Sequence, residues 1–336
     1  MGRPGARVVA SCIGVAFLLV TGCSSNSDED QAITIAPASA AQSPAQNTTP
    51  AGVVHPVGLP IESTTFDTET RTTVVLGGEG NQILLFPAGD FTAPPRVIPL
   101  DDTVAQVSLA PGGVALLAMN TQVGRLDLRT GELTFVPADG DVRSVAQLPD
   151  GRLAMGLGNG EIHIVNTETN ESQVIGGLTS VDGLAVVGDS LTALDRGQTS
   201  VTAIDVPAAA LGVALRAGEG ATQLTTDHYG RILVTDTTGD ELLAYTTDTL
   251  MLRQRFPAGL APYAVAYDDT ADRAWVTLTG TNEVVGFDLS SGVGVETARY
   301  PTVRQPNSVS VDTVNGDLLI GSATGDGLQQ IPTRSS

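Results

Sequence analysis

Most of this chain alternates between apolar and polar residues over short stretches, and turn residues separate the stretches at regular intervals. One unit recurs seven times: a turn rich in Gly, Asn, Asp or Thr, then an alternating run that ends in a large apolar residue. The final apolar residues are Phe86, Leu126, Val165, Ile204, Tyr245, Phe287 and Ile331, and they are spaced 39 to 44 residues apart. This period is typical of a β-propeller, in which each repeat forms one four-stranded blade.

The repeat therefore predicts an all-β fold, a seven-bladed β-propeller of four-stranded antiparallel blades over residues 53–336. The predicted blades are 57–102, 103–139, 140–177, 178–218, 219–259, 260–302 and 303–336. Residues 207–214 are the nearest candidate for a helix, and a loop is expected there instead. Rings of six or eight blades are the alternatives.

The last repeat is short, because only a polar tail follows Ile331. A ring that lacks one outer strand would leave strand edges unpaired. Residues 53–57, Val-Val-His-Pro-Val, precede the first blade and are predicted to supply the missing outermost strand, where Pro56 is tolerated. The alternative is that this segment stays loose.

The N-terminus has the pattern of an export signal. Arg3 and Arg7 give a basic start, and residues 8–20 are apolar apart from a few small residues. This run matches the core of a signal peptide and falls short of the roughly 20 residues needed to span a bilayer. Residues 1–22 are predicted to be a signal peptide.

The apolar run ends in Leu-Val-Thr-Gly-Cys at residues 19–23, which resembles the lipobox of bacterial lipoproteins. The resemblance implies cleavage before Cys23, a diacylglycerol on its sulfur, and a location on the outer face of the cell membrane. Two acyl chains hold a protein where a single chain releases it. The alternative is an ordinary secretory signal with a chance cysteine.

Residues 23–52 are dominated by Ser, Ala, Pro, Gln and Thr, with three acids and no base. Such a segment has too little apolar surface to offset the entropy lost on ordering. It is predicted to be a disordered acidic tether between the lipid and the propeller.

The net charge limits the classes of partner, and the cysteine count limits the chemistry of the folded domain. The formal charge is −20, and loss of Arg3 and Arg7 with the leader makes the mature chain −22. Such a surface repels nucleic acid and anionic headgroups, so neither is an expected partner. Cys12 and Cys23 are the only cysteines, so the folded domain is expected to contain no disulfide and no thiol chemistry. A monomer is expected.

The repeat resembles the YVTN-type propellers, the YncE-like and quinoprotein amine dehydrogenase-like group. The resemblance is carried by units that end in Phe287-Asp288-Leu289, Leu126-Asp127-Leu128 and Ile204-Asp205-Val206. It implies the architecture, and a fold does not fix an activity. The chain has no lysine, and proteins encoded by GC-rich genomes commonly use arginine in its place. This usage is typical of an actinobacterial lipoprotein.

No catalytic motif stands out. His55, His163 and His228 fall in different blades, and none has a partner at metal-ligand spacing. Residues 236–240 slightly resemble a calcium loop, but the distal Glu is missing and a hairpin turn is favoured. Neither a metal nor a cofactor is expected.

An alignment of the seven predicted inner strands gives one column of residues where each strand begins, near the propeller axis. The column is Glu62, Ala105, Arg143, Asp182, Thr222, Tyr263 and Asn307. Its six polar members are predicted to form a ligand-binding ring at the mouth of the channel. Arg143 and Asp182 are expected to pair, and Arg143 and Tyr263 to be the strongest anchors. The alternatives are an ordinary wet channel lining, or an alignment that is off by one residue.

Together these patterns predict a membrane-anchored, non-catalytic binding or scaffold propeller whose ligand is an envelope protein or glycan. The alternative is a lactonase-like hydrolase with a divalent metal in the central channel. That alternative requires three or four acidic or amide side chains that converge on the axis.

Overall fold

The computed structural model describes residues 1–2, 34–87 and 89–334. The leader core, the lipobox and Cys23 lie outside the described residues. The chain divides into two compact units, residues 1–32 and 33–336, and the second unit is the folded domain. Within the described parts of the chain, no helix is long and apolar enough to cross a membrane.

The folded domain is a ring of seven antiparallel sheets of four strands each. Blade 1 consists of β2 (Ile61–Asp67), β3 (Thr72–Gly77), β4 (Gln82–Pro87) and β5 (Arg96–Pro99). Blade 2 consists of β6 (Val104–Ala110), β7 (Val114–Met119), β8 (Gln122–Asp127) and β9 (Leu133–Pro137). Blade 3 consists of β10 (Val142–Gln147), β11 (Leu153–Leu157), β12 (Ile162–Val165) and β13 (Ser172–Ile175). The first strand of each blade is the innermost, and it lies next to the inner strands of both neighbouring blades.

The remaining blades repeat this order. Blade 4 consists of β14 (Gly183–Val187), β15 (Ser190–Asp195), β16 (Ser200–Asp205) and β17 (Ala210–Arg216). Blade 5 consists of β18 (Ala221–Thr226), β19 (Arg231–Asp236), β20 (Glu241–Thr246) and β21 (Met251–Pro257). Blade 6 consists of β22 (Pro262–Asp268), β23 (Arg273–Leu278), β24 (Glu283–Asp288) and β25 (Val295–Pro301). Blade 7 has β26 (Pro306–Asp312), β27 (Asp317–Ser322) and β28 (Leu328–Pro332), with β1 (Val53–His55) outermost. The predicted seven-bladed propeller is confirmed, and strands β2 to β28 lie within the predicted bounds of their blades.

The ring is closed by β1, as the short last repeat predicted. β1 pairs antiparallel with β28, and Val53, Val54 and His55 lie opposite Gln330, Gln329 and Leu328. Gly52, just before β1, has a φ of 69°, and a Cβ there would collide with the carbonyl oxygen of Gln330. Glycine is therefore required at the point where the chain turns into the closing strand.

Apolar side chains fill the spaces between neighbouring blades. The described residues form seven apolar clusters, one for each pair of adjacent blades. Between blades 6 and 7, the fully buried Trp275 stacks on Tyr300 with ring centroids 5.9 Å apart. Because both faces of every blade are covered, the second strands are buried nearly throughout, whether their residues are apolar or polar.

Small hydroxyl side chains satisfy the edges of the inner strands. Ser108 of β6 donates to the carbonyl of Val145 in blade 3 at 2.7 Å, and Ser144 of β10 donates to the carbonyl of Val181 in blade 4 at 2.8 Å. An inner strand has no further strand to pair with, so its backbone groups need such partners. Serine supplies a hydrogen bond across the blade interface with little bulk.

One strand was not predicted. Residues 207–214 were expected to be a loop, and most of them belong instead to β17. A bulge disturbs the pairing of β17 with β16 between Thr202 and Ile204, so two residues of β17 lie opposite Ala203. The bulge breaks the two-residue alternation by which strands are predicted.

The predicted tether is wrong for residues 34–51, which form an ordered extended segment that we call the N-terminal strap. The amide of Ile35 donates to the carbonyl of Gly197 in blade 4 at 2.8 Å. Ser43 is buried and donates to the carbonyl of Thr279 in blade 6 at 2.7 Å. Low hydrophobicity did not prevent ordering, because the backbone and small polar groups of the strap find hydrogen-bond partners on the propeller.

Deletion of residues 52–58 should lower the melting temperature by about 6 to 12 °C. The deletion removes β1 and leaves β28 as an open edge, at a cost of about 3 kcal/mol, and 1 kcal/mol shifts a domain of this size by about 2 to 4 °C. Differential scanning calorimetry measures the change. Deletion of residues 24–30, an equal length ahead of the strap, is the control, and equal melting temperatures for both deletions would refute the closing role of β1.

Candidate binding site at the channel mouth

The innermost strands all begin at one end of the ring, which we call the mouth face. Turns between second and third strands lie on the same face. In six blades the pairing between the first and second strands shifts register near the start of the first strand. The shifts lie at Ile61/Ser63, Val104/Gln106, Val142/Ser144, Ala221/Leu224, Pro262/Val265 and Pro306/Ser308. The aligned column residues of these blades all fall within these shifts. A bulge re-aims the side chain of its extra residue, so the column is a repeated structural position.

Arg143 and Asp182 pair as expected, from neighbouring blades. Nη1 of Arg143 lies 3.3 Å from Oδ1 of Asp182, and its Nε lies 3.1 Å from Oδ2 of Asp141. The Arg143 side chain is 40% exposed, whereas that of Asp182 is 8% exposed. Partial burial acts to lower the pKa of Arg143, but the Asp141 hydrogen bond and the Asp182 charge outweigh it and raise the pKa. Arg143 is thus a fixed, half-exposed cation.

Asp182 is held by further bonds within its own blade. Its Oδ2 accepts the Ser180 hydroxyl at 2.5 Å and the backbone amide of Arg196 at 2.9 Å. The fully buried Asp195 accepts the amides of Thr179 and Gln198, both at 2.8 Å. These two carboxylates fix the loop that leads into β14, so the main role of Asp182 is to hold that loop.

Thr222 points into the interface between blades 5 and 6. Its hydroxyl lies 2.6 Å from that of Thr237 and 3.0 Å from that of Thr235. These two partners donate to the carbonyls of Pro262 and Tyr263 at 2.6 and 2.7 Å. Thr222 is buried, so its hydroxyl serves the blade interface and is not exposed at the mouth.

The other members of the column keep some exposed surface. Glu62, Tyr263 and Asn307 are half-buried. Tyr263 packs on the apolar cluster between blades 6 and 7. The Asn307 side-chain oxygen accepts a hydrogen bond from Nε2 of Gln305 at 3.0 Å. Together with Arg143, these residues supply one cation, one carboxylate, one aromatic ring and one amide at the mouth.

The N-terminal strap crosses part of this face. The Gln305 amide side chain bonds the backbone of Ser43 and of Ala41 at 2.9 and 2.8 Å, and Arg196 donates to the carbonyl of Ala38. Asn282 donates to the carbonyl of Pro44 at 3.1 Å. The hydrogen bonds that join residues 34–51 to the propeller all go to blades 4, 6 and 7. The sector of blades 1 to 3, which contains Glu62, Ala105 and Arg143, is the more open part of the mouth.

Sequence reasoning missed the residues that hold the strap. Arg196, Asn282 and Gln305 lie in turns or loops, as polar residues commonly do. Their strap partners are 158 to 264 positions away in the chain. No local pattern indicates such a contact, and the composition of the strap is that of a disordered segment.

The three histidines and the calcium-like loop lie in strands and turns of the propeller. His55 lies in β1 and His163 in β12, as expected. His228 lies on the opposite face, 3.0 Å from Asp269 and 3.3 Å from Asp272. Residues 237–240 form the turn between β19 and β20. Among residues 34–87 and 89–334, no group of three or more His, Cys, Asp or Glu side chains is arranged to hold a metal ion.

Solved structures share this architecture. A chain of Kuenenia stuttgartiensis hydrazine synthase superposes with a TM-score of 0.68 at 14% identity, over 87% of this chain and 99% of that chain. A chain of a mitotic checkpoint complex gives 0.73 at 14% identity, over 89% and 99%. U3-55K gives 0.70 at 10% identity, over 84% and 100%. These likenesses show the fold alone. No family model and no curated protein matches this chain.

Replacement of Ser43 by Ala should loosen the strap while the propeller stays folded. The change removes the donor to Thr279 and one of the two acceptors of the Gln305 amide, which keeps its bond to the side-chain oxygen of Asn282 at 3.1 Å. The loss of about 1.4 kcal/mol corresponds to about tenfold faster exchange. Hydrogen exchange of residues 35–51 measures it. Ser39→Ala, at an exposed strap position, is the control, and the same exchange in both variants would contradict the role of Ser43.

Proposed function

We propose that this protein is a non-catalytic binding module, held on the outer face of the cell membrane by lipid on Cys23. Its ligand, an envelope protein or glycan, binds at the mouth face. The observation that carries the proposal is the repeated bulge at the start of six inner strands. The bulge repeats at equivalent positions of six blades, which supports a ring of polar side chains, and Arg143 and Tyr263 are the anchors we expect to contribute most.

The chemistry of the mouth favours a polar, uncharged or mixed-charge ligand. Glu62 and Arg143 lie on the open sector with opposite charges, and Arg143 already has two carboxylate neighbours, Asp141 and Asp182. A ligand with hydroxyl and amide groups can exchange hydrogen bonds with such side chains without leaving a buried charge unpaired. Glycans and loop segments of proteins both have these groups.

We also propose that the chain belongs with the YVTN-type propellers and is a lipoprotein. The repeat units that end in Phe287-Asp288-Leu289 and Leu126-Asp127-Leu128 support the first assignment, and the lipobox-like residues 19–23 support the second. Eleven residues lie between Cys23 and Ile35, whose amide is bonded to blade 4.

Replacement of Cys23 by Ala should move the protein from the membrane fraction to the medium, or leave an uncleaved precursor. The variant has no sulfur to accept the diacylglycerol, and the remaining contacts of a strongly acidic chain with anionic headgroups are repulsive. Fractionation and mass spectrometry of the N-terminus measure the outcome. Cys12→Ala, inside the predicted leader, is the control. A processed, membrane-bound Cys23→Ala protein would disprove lipid anchoring.

A photo-crosslinking side chain at Tyr263 should capture a ligand in intact cells, because this position lies at the mouth. The matched control is the same side chain at Tyr229, an aromatic position on the opposite face that is 60% exposed. We expect a discrete adduct from position 263, reduced at least about fivefold by Arg143→Ala. An equal adduct from position 229, or none from position 263, would place the binding surface elsewhere.

A further inference from the structure

The N-terminal strap lies on the propeller in the way that a bound peptide lies on a receptor. Side chains of three blades donate to its backbone carbonyls: Arg196 to Ala38, Gln305 to Ala41 at 2.8 Å and Asn282 to Pro44 at 3.1 Å. Every residue has a backbone carbonyl, so these contacts hold an extended chain largely independently of its side chains. We call Arg196, Asn282 and Gln305, together with Thr279, the strap track.

Ser43 is the strap residue whose side chain the track recognises. Within residues 34–51 it is the one buried residue, with 4% exposure. Its hydroxyl donates to the carbonyl of Thr279 at 2.7 Å and accepts the amide of Gln305 at 3.2 Å, and its own amide donates to Oε1 of Gln305 at 2.9 Å. A carboxylate in this place would face the Thr279 carbonyl with no proton to donate. The track therefore selects a small hydroxyl side chain at this position.

The strap can leave the track without disturbing the core. Among the described residues, the seven apolar clusters include none before Ala51, and no apolar side chain of residues 34–50 is buried. A segment held mainly by hydrogen bonds at the surface opens at a lower free energy than packed strands do. Release of residues 34–50 breaks their hydrogen bonds and leaves the blade interfaces intact.

The sequence of the strap shows which kind of segment the track accepts. Residues 34–51 contain no charged residue and consist of Ala, Ser, Thr, Pro, Gln, Asn and a single Ile. Pro37, Pro44 and Pro50 fix the backbone φ in the range of extended chains, which reduces the conformational entropy lost on binding. The expected occupant is therefore an extended, uncharged segment of small residues and proline.

The covalent link makes the strap a strong competitor for the track. The strap continues directly into β1, which is fixed against β28, so a released strap stays close to its binding site. A short tether of this kind gives an effective concentration on the order of millimolar. A free segment at micromolar concentration meets an occupied track, and it enters only when the strap is released or when the segment binds more tightly than the strap.

We propose that the strap is the intramolecular occupant of a peptide-binding track, and that a segment of a partner protein takes its place. The partner segment is extended, uncharged and rich in small residues and proline, and it places a serine where Ser43 lies. The strap keeps the track closed until such a partner is present. The proposal rests on the proposed function in treating the mouth face as a binding surface, and it names a polypeptide as the occupant over blades 4, 6 and 7.

The test is fluorescence anisotropy with the full-length protein and a labelled peptide that has the sequence of residues 34–48. Ser43→Glu in the protein should release the strap, which fast hydrogen exchange of residues 35–51 would show. We expect this variant to bind the peptide at least about tenfold more tightly than wild type, because its own strap no longer competes. A peptide with Ser43→Glu should not bind, whereas a peptide with Ser39→Glu, at an exposed position, should bind.

A pair of glutamine variants separates the track from the rest of the surface. In the Ser43→Glu protein, Gln305→Ala removes the side-chain bonds to the backbone of residues 41 and 43 and should weaken peptide binding at least about tenfold. Gln147→Ala is the matched control, because Nε2 of Gln147 donates to the carbonyl of Gly151 on the opposite face. It should leave peptide binding unchanged, and melting temperatures check that each variant is folded.

Four results would overturn the proposal. They are peptide binding by the Ser43→Glu protein that is no stronger than by wild type, a strap that stays protected in that variant, equal binding of the Ser39→Glu and Ser43→Glu peptides, and equal effects of Gln305→Ala and Gln147→Ala. A concentration-dependent wild-type dimer in sedimentation that Ser43→Glu abolishes would also overturn it, because the track would then take the strap of a second copy. The crosslink at position 263 is measured without the peptide, so its absence would refute the proposed mouth ligand and leave the peptide titration unchanged.

Discussion

The antiparallel pairing of β1 with β28 is the interaction on which the ring depends. Six blades are built from consecutive strands, but blade 7 takes its outermost strand from the other end of the folded domain. Three residue pairs, from Val53–Gln330 to His55–Leu328, join ends that are separated by nearly the whole domain. Every apolar cluster lies between two blades, so each blade needs both neighbours, and opening the ring at one point exposes apolar surface on both sides.

The same requirement, that every strand edge be satisfied, explains the centre of the molecule. Inner strands have no further strand to pair with, so Ser108, Ser144 and Thr235 donate to the backbone of the next blade. Loops at the mouth are fixed by buried carboxylates such as Asp195, which accept backbone amides. Polar residues at the mouth therefore divide into those that hold the ring together and those, such as Arg143, that remain exposed.

Sequence reasoning succeeded where the signal is local and repeated. The period of about forty residues predicted seven blades, and six of the seven aligned column residues, all except Asp182, lie within the bulges of the inner strands because the repeat fixes the register. It failed where contacts are long-range or the alternation is broken. Gln305 forms hydrogen bonds with strap residues that are 262 and 264 positions away in the chain. The bulge in β17 interrupts the alternation, so this strand was predicted to be a loop. Thr222 is polar, as a residue at the mouth is expected to be, but its hydroxyl is bonded to Thr235 and Thr237 within the blade interface. The sequence alone does not indicate these contacts.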